Sequence, residues 1–83
     1  MVVDVVLYTK PGCCLCDVVK EQLTRLRATH PFGLREVNIL DDPEAHEKLR
    51  EEIPVVFMGG KKAFKYRLDE KQFIRRLGIR VRD

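Results

Sequence analysis

The sequence predicts one α/β domain, residues 1–83, with a four-stranded mixed sheet flanked by three helices in the order β-α-β-α-β-β-α. Three observations predict this fold class. The chain has the length of a single domain. Runs of β-branched residues alternate with runs in which apolar residues recur at the helical period. Finally, Gly59-Gly60 separates two strand-like runs, which indicates an antiparallel hairpin in the second half of the chain. The first half requires a right-handed crossover between two parallel strands.

The first strand and the first helix lie on either side of Pro11-Gly12. Residues 2–8, "VVDVVLY", are rich in β-branched side chains and predict a largely buried strand. After Pro11-Gly12 the apolar residues follow the helical period, and Pro31 and Gly33 indicate where that helix has ended. Its inner face is expected to consist of Leu15, Val18, Val19, Leu23 and Leu26.

The middle of the chain predicts a second strand and a short helix. Residues 34–40, "LREVNIL", contain alternating apolar residues and predict the strand. Residues 41–52, "DDPEAHEKLREE", predict the helix, with Asp42 as its N-cap. Ala45 and Leu49 are four residues apart and are expected to share its buried face.

The last third of the chain predicts a hairpin followed by a helix. Residues 54–58 and 62–65 are the expected third and fourth strands, joined by Gly59-Gly60. Asp69, followed three residues later by a glutamine, forms a capping box that opens the last helix, and Gly78 is expected to end it. The inner face of this helix is expected to hold Phe73, Ile74 and Leu77.

Composition and charge exclude several classes of protein. The content of 45% hydrophobic and 35% charged residues is typical of globular domains and not of disordered chains. A net charge of +3 is too small to indicate nucleic-acid binding. The first ten residues, "MVVDVVLYTK", lack the basic segment of an export signal and the roughly 18 apolar residues of a membrane span. We therefore expect a cytoplasmic monomer that binds neither nucleic acid nor membranes.

All three cysteines lie in the short segment "PGCCLC", residues 11–16. A bridge between Cys13 and Cys16 would close too small a loop to stabilise the fold substantially. Cys13 falls where a strand ends and a helix begins. The free N–H groups and the positive dipole of a helix N-terminus favour a thiolate there, and Lys10 adds a positive charge.

Cys16 lies one helical turn beyond Cys13, on the same side of the helix. It is expected to be deeper and less acidic, which suits a thiol that attacks a mixed disulfide on Cys13. Cys14 points about 100° away from the pair, and it could be a flanking side chain, a third redox-active thiol or a metal ligand. A Cys-x-x-Cys pair at a strand-to-helix junction of a βαβ unit indicates a thioredoxin-like redox site.

Two segments resemble the glutaredoxin-like, thioredoxin-fold family. Residues 8–16, "YTKPGCCLC", resemble its Tyr-Thr-Lys-x-x-Cys-x-x-Cys opening, and "IPV" at residues 53–55 resembles the Val-Pro element that precedes its third strand. The resemblance covers nearly the whole chain, to the small glutaredoxin-like group above all. It implies a thioredoxin-like fold and a thiol–disulfide oxidoreductase, with Cys13 as the nucleophile and Cys16 as the resolving cysteine.

The resemblance also implies a substrate site. The expected substrate-binding residues are Tyr8, Lys10, Ile53 through its backbone, and Pro54 with a cis peptide bond. The stretch after the fourth predicted strand, "KYRLDE", differs from the Gly-Gly and acidic residues with which glutaredoxins hold glutathione. Protein disulfides and glutathione mixed disulfides are therefore both open as substrates.

No bound cofactor is expected, with glutathione as a candidate co-substrate and a reductase as electron donor. The alternative function is an iron–sulfur or metal carrier of the same fold, for which His30 and His46 are the other candidate ligands. A binding module without turnover is disfavoured because both cysteines of the pair are present.

Overall fold

The computed structural model describes residues 3–81 and gives the predicted order of elements, with one added 3-10 turn. The elements are β1 (Asp4–Thr9), α1 (Cys14–Arg27), β2 (Gly33–Asn38), the 3-10 turn (Ile39–Asp41), α2 (Pro43–Leu49), β3 (Val55–Met58), β4 (Lys61–Lys65) and α3 (Glu70–Val81). The first residue of the predicted strand, Val2, lies outside the described residues.

The sheet is mixed and has the strand order β2-β1-β3-β4. β1 and β2 are parallel, with Thr9 opposite Asn38, so both strands end at the same edge of the sheet. β1 and β3 are antiparallel, as are β3 and β4. The predicted α/β class, with a parallel half and an antiparallel half, is confirmed.

The helices cover both faces of the sheet. α1 and α3 pack against one face, where Leu23 and Phe73 join Leu7 of β1 in one buried cluster. α2 covers the other face, where Leu49 packs with Val55 of β3 in a second cluster. Successive side chains of a strand point to opposite faces of the sheet, so the same strands contribute residues to both clusters.

The hairpin turn and the N-caps of α2 and α3 lie where they were predicted. Gly59 and Gly60 have φ values of 60° and 85°, which is the backbone of a two-residue hairpin turn that favours glycine. A side-chain oxygen of Asp42 accepts the N–H groups of Glu44 and Ala45 at 3.1 and 3.2 Å, which caps α2. Asp69 caps α3 in the same way, accepting the N–H of Gln72 at 3.2 Å.

The predicted inner faces of α1 and α3 were partly wrong. Leu15 and Val18 are 45% and 54% exposed, and Ile74 is 37% exposed. Each of these residues is one position away from the buried stripe, and one position rotates a side chain by about 100°. The stripe of α1 consists instead of Cys16, Val19, Leu23 and Leu26.

Two predicted element ends were also displaced. The strand predicted over residues 34–40 ends at Asn38, because the side chain of Asn38 accepts the N–H of Leu40 at 2.9 Å and starts the 3-10 turn. Gly78 does not end α3, which continues to Val81. A glycine inside a helix costs only about 1 kcal/mol, and it ends a helix chiefly when its φ is positive, which is not so at Gly78.

Candidate active site

The cysteine segment lies at the edge of the sheet where β1 gives way to α1. Gly12, with φ of 75°, makes the tight turn between them. Cys13 is the N-cap of α1, with extended backbone, and its Sγ accepts the N–H of Cys16 at 3.2 Å. The sulfur therefore takes the place of the side-chain oxygen in an ordinary cap, and a backbone donor and the positive end of a 14-residue helix stabilise negative charge on it.

Cys16 has the opposite environment. It is 3% exposed and packs in the cluster beneath α2, with Ile39 and Val55. Burial raises the pKa of its thiol from the ordinary 9.0 to about 12, and a hydrogen bond with the Cys13 side chain also raises it. The N–H of Lys10 lowers the pKa by bonding the sulfur, whereas negative charge on Cys13 and Asp17 raises it.

The two thiols of the pair thus differ in accessibility and in hydrogen bonding. Cys13 is half-buried, which leaves part of its side chain open to solvent, while Cys16 is covered. Cys14 is exposed and begins α1, with its side chain directed away from the covered one. All three are free thiols. An incoming disulfide can meet Cys13 first and then find Cys16 in contact behind it.

Ile53 and Pro54 lie beside this pair. The Ile53–Pro54 peptide bond is cis, and both residues are buried. Cys13 packs against the cluster that contains Ile53. The pairing of β1 with β3 begins at Tyr8 opposite Val55, so Ile53 precedes the paired part of β3, and its side chain is buried in the same cluster as Cys16.

The side chains of Tyr8 and Lys10 have different surroundings. The Tyr8 ring is half-buried on the α2 face, where it meets Phe57 edge-on with ring centres 5.2 Å apart. Lys10 has an exposed side chain and borders, with Cys16 and Glu36, an open pocket of about 390 Å³. Lys10 therefore contacts Cys16 through a backbone hydrogen bond. The substrate-binding role of Tyr8 and Lys10 stays a prediction.

Tyr66 contacts the Pro54 segment, which the sequence did not reveal. It follows β4, and its N–H donates to the carbonyl oxygen of Pro54 at 2.8 Å. Its φ of 68° lies in the left-handed region, where a tyrosine is an outlier. A turn there is signalled in sequence by glycine or asparagine, so "KYRLDE" carried no signal that could have found it.

The remaining candidate ligands do not gather around the thiols. His30 follows α1, with Nδ1 2.9 Å from the hydroxyl of Thr29, and His46 lies in α2. Within residues 3–81, no three histidine, cysteine or acidic side chains are grouped so that they could hold a metal ion. In the same part of the chain, no helix combines the length and the apolar character needed to cross a membrane.

Comparison with known proteins shows the family and the fold of the chain. Residues 4–78 match the model of a glutaredoxin-like domain family. A glutaredoxin-like protein of Dictyostelium discoideum is 28% identical over 74 residues, which are 82% of this chain and 68% of that protein. The solution structure of protein Ne2328 from Nitrosomonas europaea has a TM-score of 0.82 at 25% identity and covers 93% of each chain. Oxidized mitochondrial thioredoxin 3 of Saccharomyces cerevisiae has a TM-score of 0.71 at 14% identity, over 93% of this chain and 77% of that one, and shares the fold.

Proposed function

The chain belongs to the glutaredoxin-like domain family, and from this premise we propose that it is a thiol–disulfide oxidoreductase acting through Cys13 and Cys16. Its family and its thioredoxin-like fold support a redox-type function in general. The finer assignment is argued from the two sulfurs and their surroundings.

One observation carries the proposal: the two thiols are in contact but have unlike environments. The Cys13 sulfur accepts a helix N–H at 3.2 Å and is partly open, whereas Cys16 is covered and has a pKa of about 12. The thiolate is the attacking species in disulfide exchange, and attack also needs access. The Cys13 sulfur is open to an incoming disulfide and has a backbone donor, whereas the Cys16 sulfur is covered, so Cys13 is the proposed attacking sulfur.

In the first step the Cys13 thiolate attacks one sulfur of a substrate disulfide. A bond forms between Sγ of Cys13 and that sulfur, and the substrate S–S bond breaks. The other substrate sulfur leaves as a thiolate and takes a proton from solvent. Cys13 then no longer carries the negative charge that helps to hold the proton on Cys16.

In the second step Cys16 loses its proton and attacks Sγ of Cys13. The mixed disulfide breaks, the second substrate thiol is released with a proton, and a Cys13–Cys16 disulfide forms. Two electrons have passed from the protein dithiol to the substrate disulfide. Two thiols of glutathione, or the dithiol of a reductase, would return them.

The proposed substrates are protein disulfides and glutathione mixed disulfides, with glutathione as co-substrate for the latter. The backbone of Ile53 lies where an extended substrate chain could pair with it, because regular pairing with β1 starts only at Val55. Side chains of Tyr8 and Lys10 would border that chain. We further propose that the protein acts as a monomer in the cytoplasm, where thiols are kept reduced.

The test is a coupled NADPH assay with two electron-donor systems, glutathione with glutathione reductase and, separately, thioredoxin reductase. Turnover with either donor is expected for the unaltered protein. Cys13→Ser should abolish turnover with both donors, because it removes the attacking sulfur. Cys16→Ser should keep activity on a glutathione mixed disulfide, where free glutathione can resolve the intermediate, and lose activity on a protein disulfide.

Cys14→Ser is the matched control, since it removes an exposed thiol of the same segment and should leave turnover within about twofold. Persistent turnover in Cys13→Ser would refute the proposed mechanism. Absence of turnover with both donors and both substrates in the unaltered protein would refute the proposed function itself.

A further inference from the structure

Tyr66 sits in a strained turn that the backbone itself identifies. Its φ is 68°, and the N–H of Arg67 donates to the carbonyl oxygen of Lys65 at 2.8 Å, across this one residue. A three-residue turn with a positive φ at its centre is rare and strained. Residues other than glycine keep such a backbone conformation only where surrounding contacts hold them, and such residues concentrate at functional sites.

Two contacts hold Tyr66 against the segment that leads into β3. Its N–H donates to Pro54 O at 2.8 Å, and its hydroxyl donates to the carbonyl oxygen of Glu51 at 3.1 Å. Glu51 precedes Pro54 by three residues. The Tyr66 side chain therefore extends from Pro54 towards Glu51 and lies alongside residues 52–54.

The ring is at the same end of the sheet as the thiols. Lys65 pairs with Val55, and Val55 pairs with Tyr8, which is close to the end of β1. The residue after Lys65 is thus carried to the edge from which α1 and Cys13 start. A substrate chain laid along the backbone of Ile53 would run beside the segment against which Tyr66 is held.

The ring is also available for contact. Tyr66 is 44% exposed, so part of its side chain is open to solvent. The ammonium of Lys65 lies 5.6 Å from the ring centre. An exposed aromatic ring, fixed at its hydroxyl end by a hydrogen bond, gives a large contact area at little cost in side-chain entropy.

We propose that Tyr66 is a specificity-determining residue, whose ring receives an apolar side chain that flanks the cysteine of a polypeptide disulfide. This inference rests on the proposed oxidoreductase function and names its substrate class. Glutathione has a glutamyl group and a glycine on either side of its cysteine, so it brings no apolar side chain to the ring. The ring thus favours polypeptide disulfides over glutathione mixed disulfides.

The experiment measures single-turnover oxidation of the reduced protein by three disulfides. They are a disulfide-linked peptide with leucine on both sides of its cysteine, the same peptide with serine in place of leucine, and a glutathione mixed disulfide. The rate of formation of the Cys13–Cys16 disulfide is followed by acid quench and mass spectrometry, so no reductase is needed. The readout is the ratio of the second-order rate constants for the leucine peptide and for each of the others.

Tyr66→Gly removes the ring and suits the positive φ, so the backbone turn is retained. It should lower both ratios about tenfold, the size of effect expected when one well-packed aromatic contact is lost. Tyr66→Phe keeps the ring and should keep the ratios within about threefold. Ile74→Ala is the matched control, because Ile74 is a similarly exposed apolar residue, on α3, and its loss should leave the ratios unchanged.

If Tyr66→Gly fails to fold, Tyr66→Asn serves instead, since asparagine tolerates a positive φ and also lacks the ring. Ratios within about twofold of the unaltered protein in the glycine or asparagine variant would overturn the role of Tyr66 while leaving the oxidoreductase proposal intact. An unaltered protein that reacts with none of the three disulfides would instead overturn the oxidoreductase proposal.

Discussion

Raising the pH from 8 to 10 should destabilise the reduced protein through Cys16. Folding raises the pKa of this thiol from 9.0 to about 12, because the side chain is buried. Above pH 9 the unfolded chain therefore releases the Cys16 proton while the folded chain keeps it. Proton release that occurs only in the unfolded state favours unfolding. The contribution of Cys16 to the free energy of unfolding is therefore fully present below pH 9 and is lost as the pH rises towards 12.

The magnitude follows from the two pKa values. At pH 10 the unfolded thiol is about 90% ionised and the folded thiol about 1%, which lowers the free energy of unfolding by about 1.4 kcal/mol relative to pH 8. The limit above pH 12 is about 4 kcal/mol, from three pKa units at 1.36 kcal/mol each. A domain of this size has a total stability of about 4–12 kcal/mol, so the change at pH 10 is large enough to measure without unfolding the protein.

The assay is urea denaturation at pH 8 and pH 10 in the presence of a reductant. The Cys16→Ala variant gives the contribution of all other groups, and the difference between the two proteins isolates Cys16. The urea midpoint of the unaltered protein should fall by about 1 M more than that of the variant. Equal shifts in the two proteins would refute a folded thiol whose pKa is raised by burial. Cys14→Ala, which alters an exposed thiol, should show the full shift.

Three further outcomes are expected. One equivalent of iodoacetamide at pH 7.5 should alkylate Cys13 well before Cys16, as peptide mapping by mass spectrometry would show, because Cys16 is covered and protonated; preferential alkylation of Cys16 would contradict the site. Asp42→Ala should cost about 1 kcal/mol in thermal denaturation, since two N–H groups of α2 lose their acceptor, and an unchanged melting temperature would count against that cap. Phe73→Ala should cost about 3–5 kcal/mol because the ring is fully buried, whereas Ile74→Ala should cost less than about 1 kcal/mol; similar losses at the two positions would contradict the assigned face of α3.

Local sequence was enough to predict most of the fold and the thiol pair. Gly59-Gly60, the cap at Asp42 and the order of the elements each depend on residues close together in the chain, so their chemistry can be read without knowing the rest. The spacing of Cys13 and Cys16 at a strand-to-helix junction belongs to the same class of information. It predicted that the first sulfur would lie at the N-terminus of α1, and the structure adds that this sulfur caps the helix.

Tertiary packing decided which side chains are covered. Periodicity allowed Leu15 and Val18 to be on the inner face of α1, but in the folded chain that place belongs to Cys16, and both apolar residues are exposed. Tyr66 depends even more on distant parts of the chain, because its left-handed backbone is held by Pro54 and Glu51, 12 and 15 residues earlier. The sequence predicted which two sulfurs are adjacent and that Cys16 is the deeper one. Only the folded structure determined which residues cover Cys16 and how completely they do so, since burial depends on neighbours that the chain brings together only when it folds.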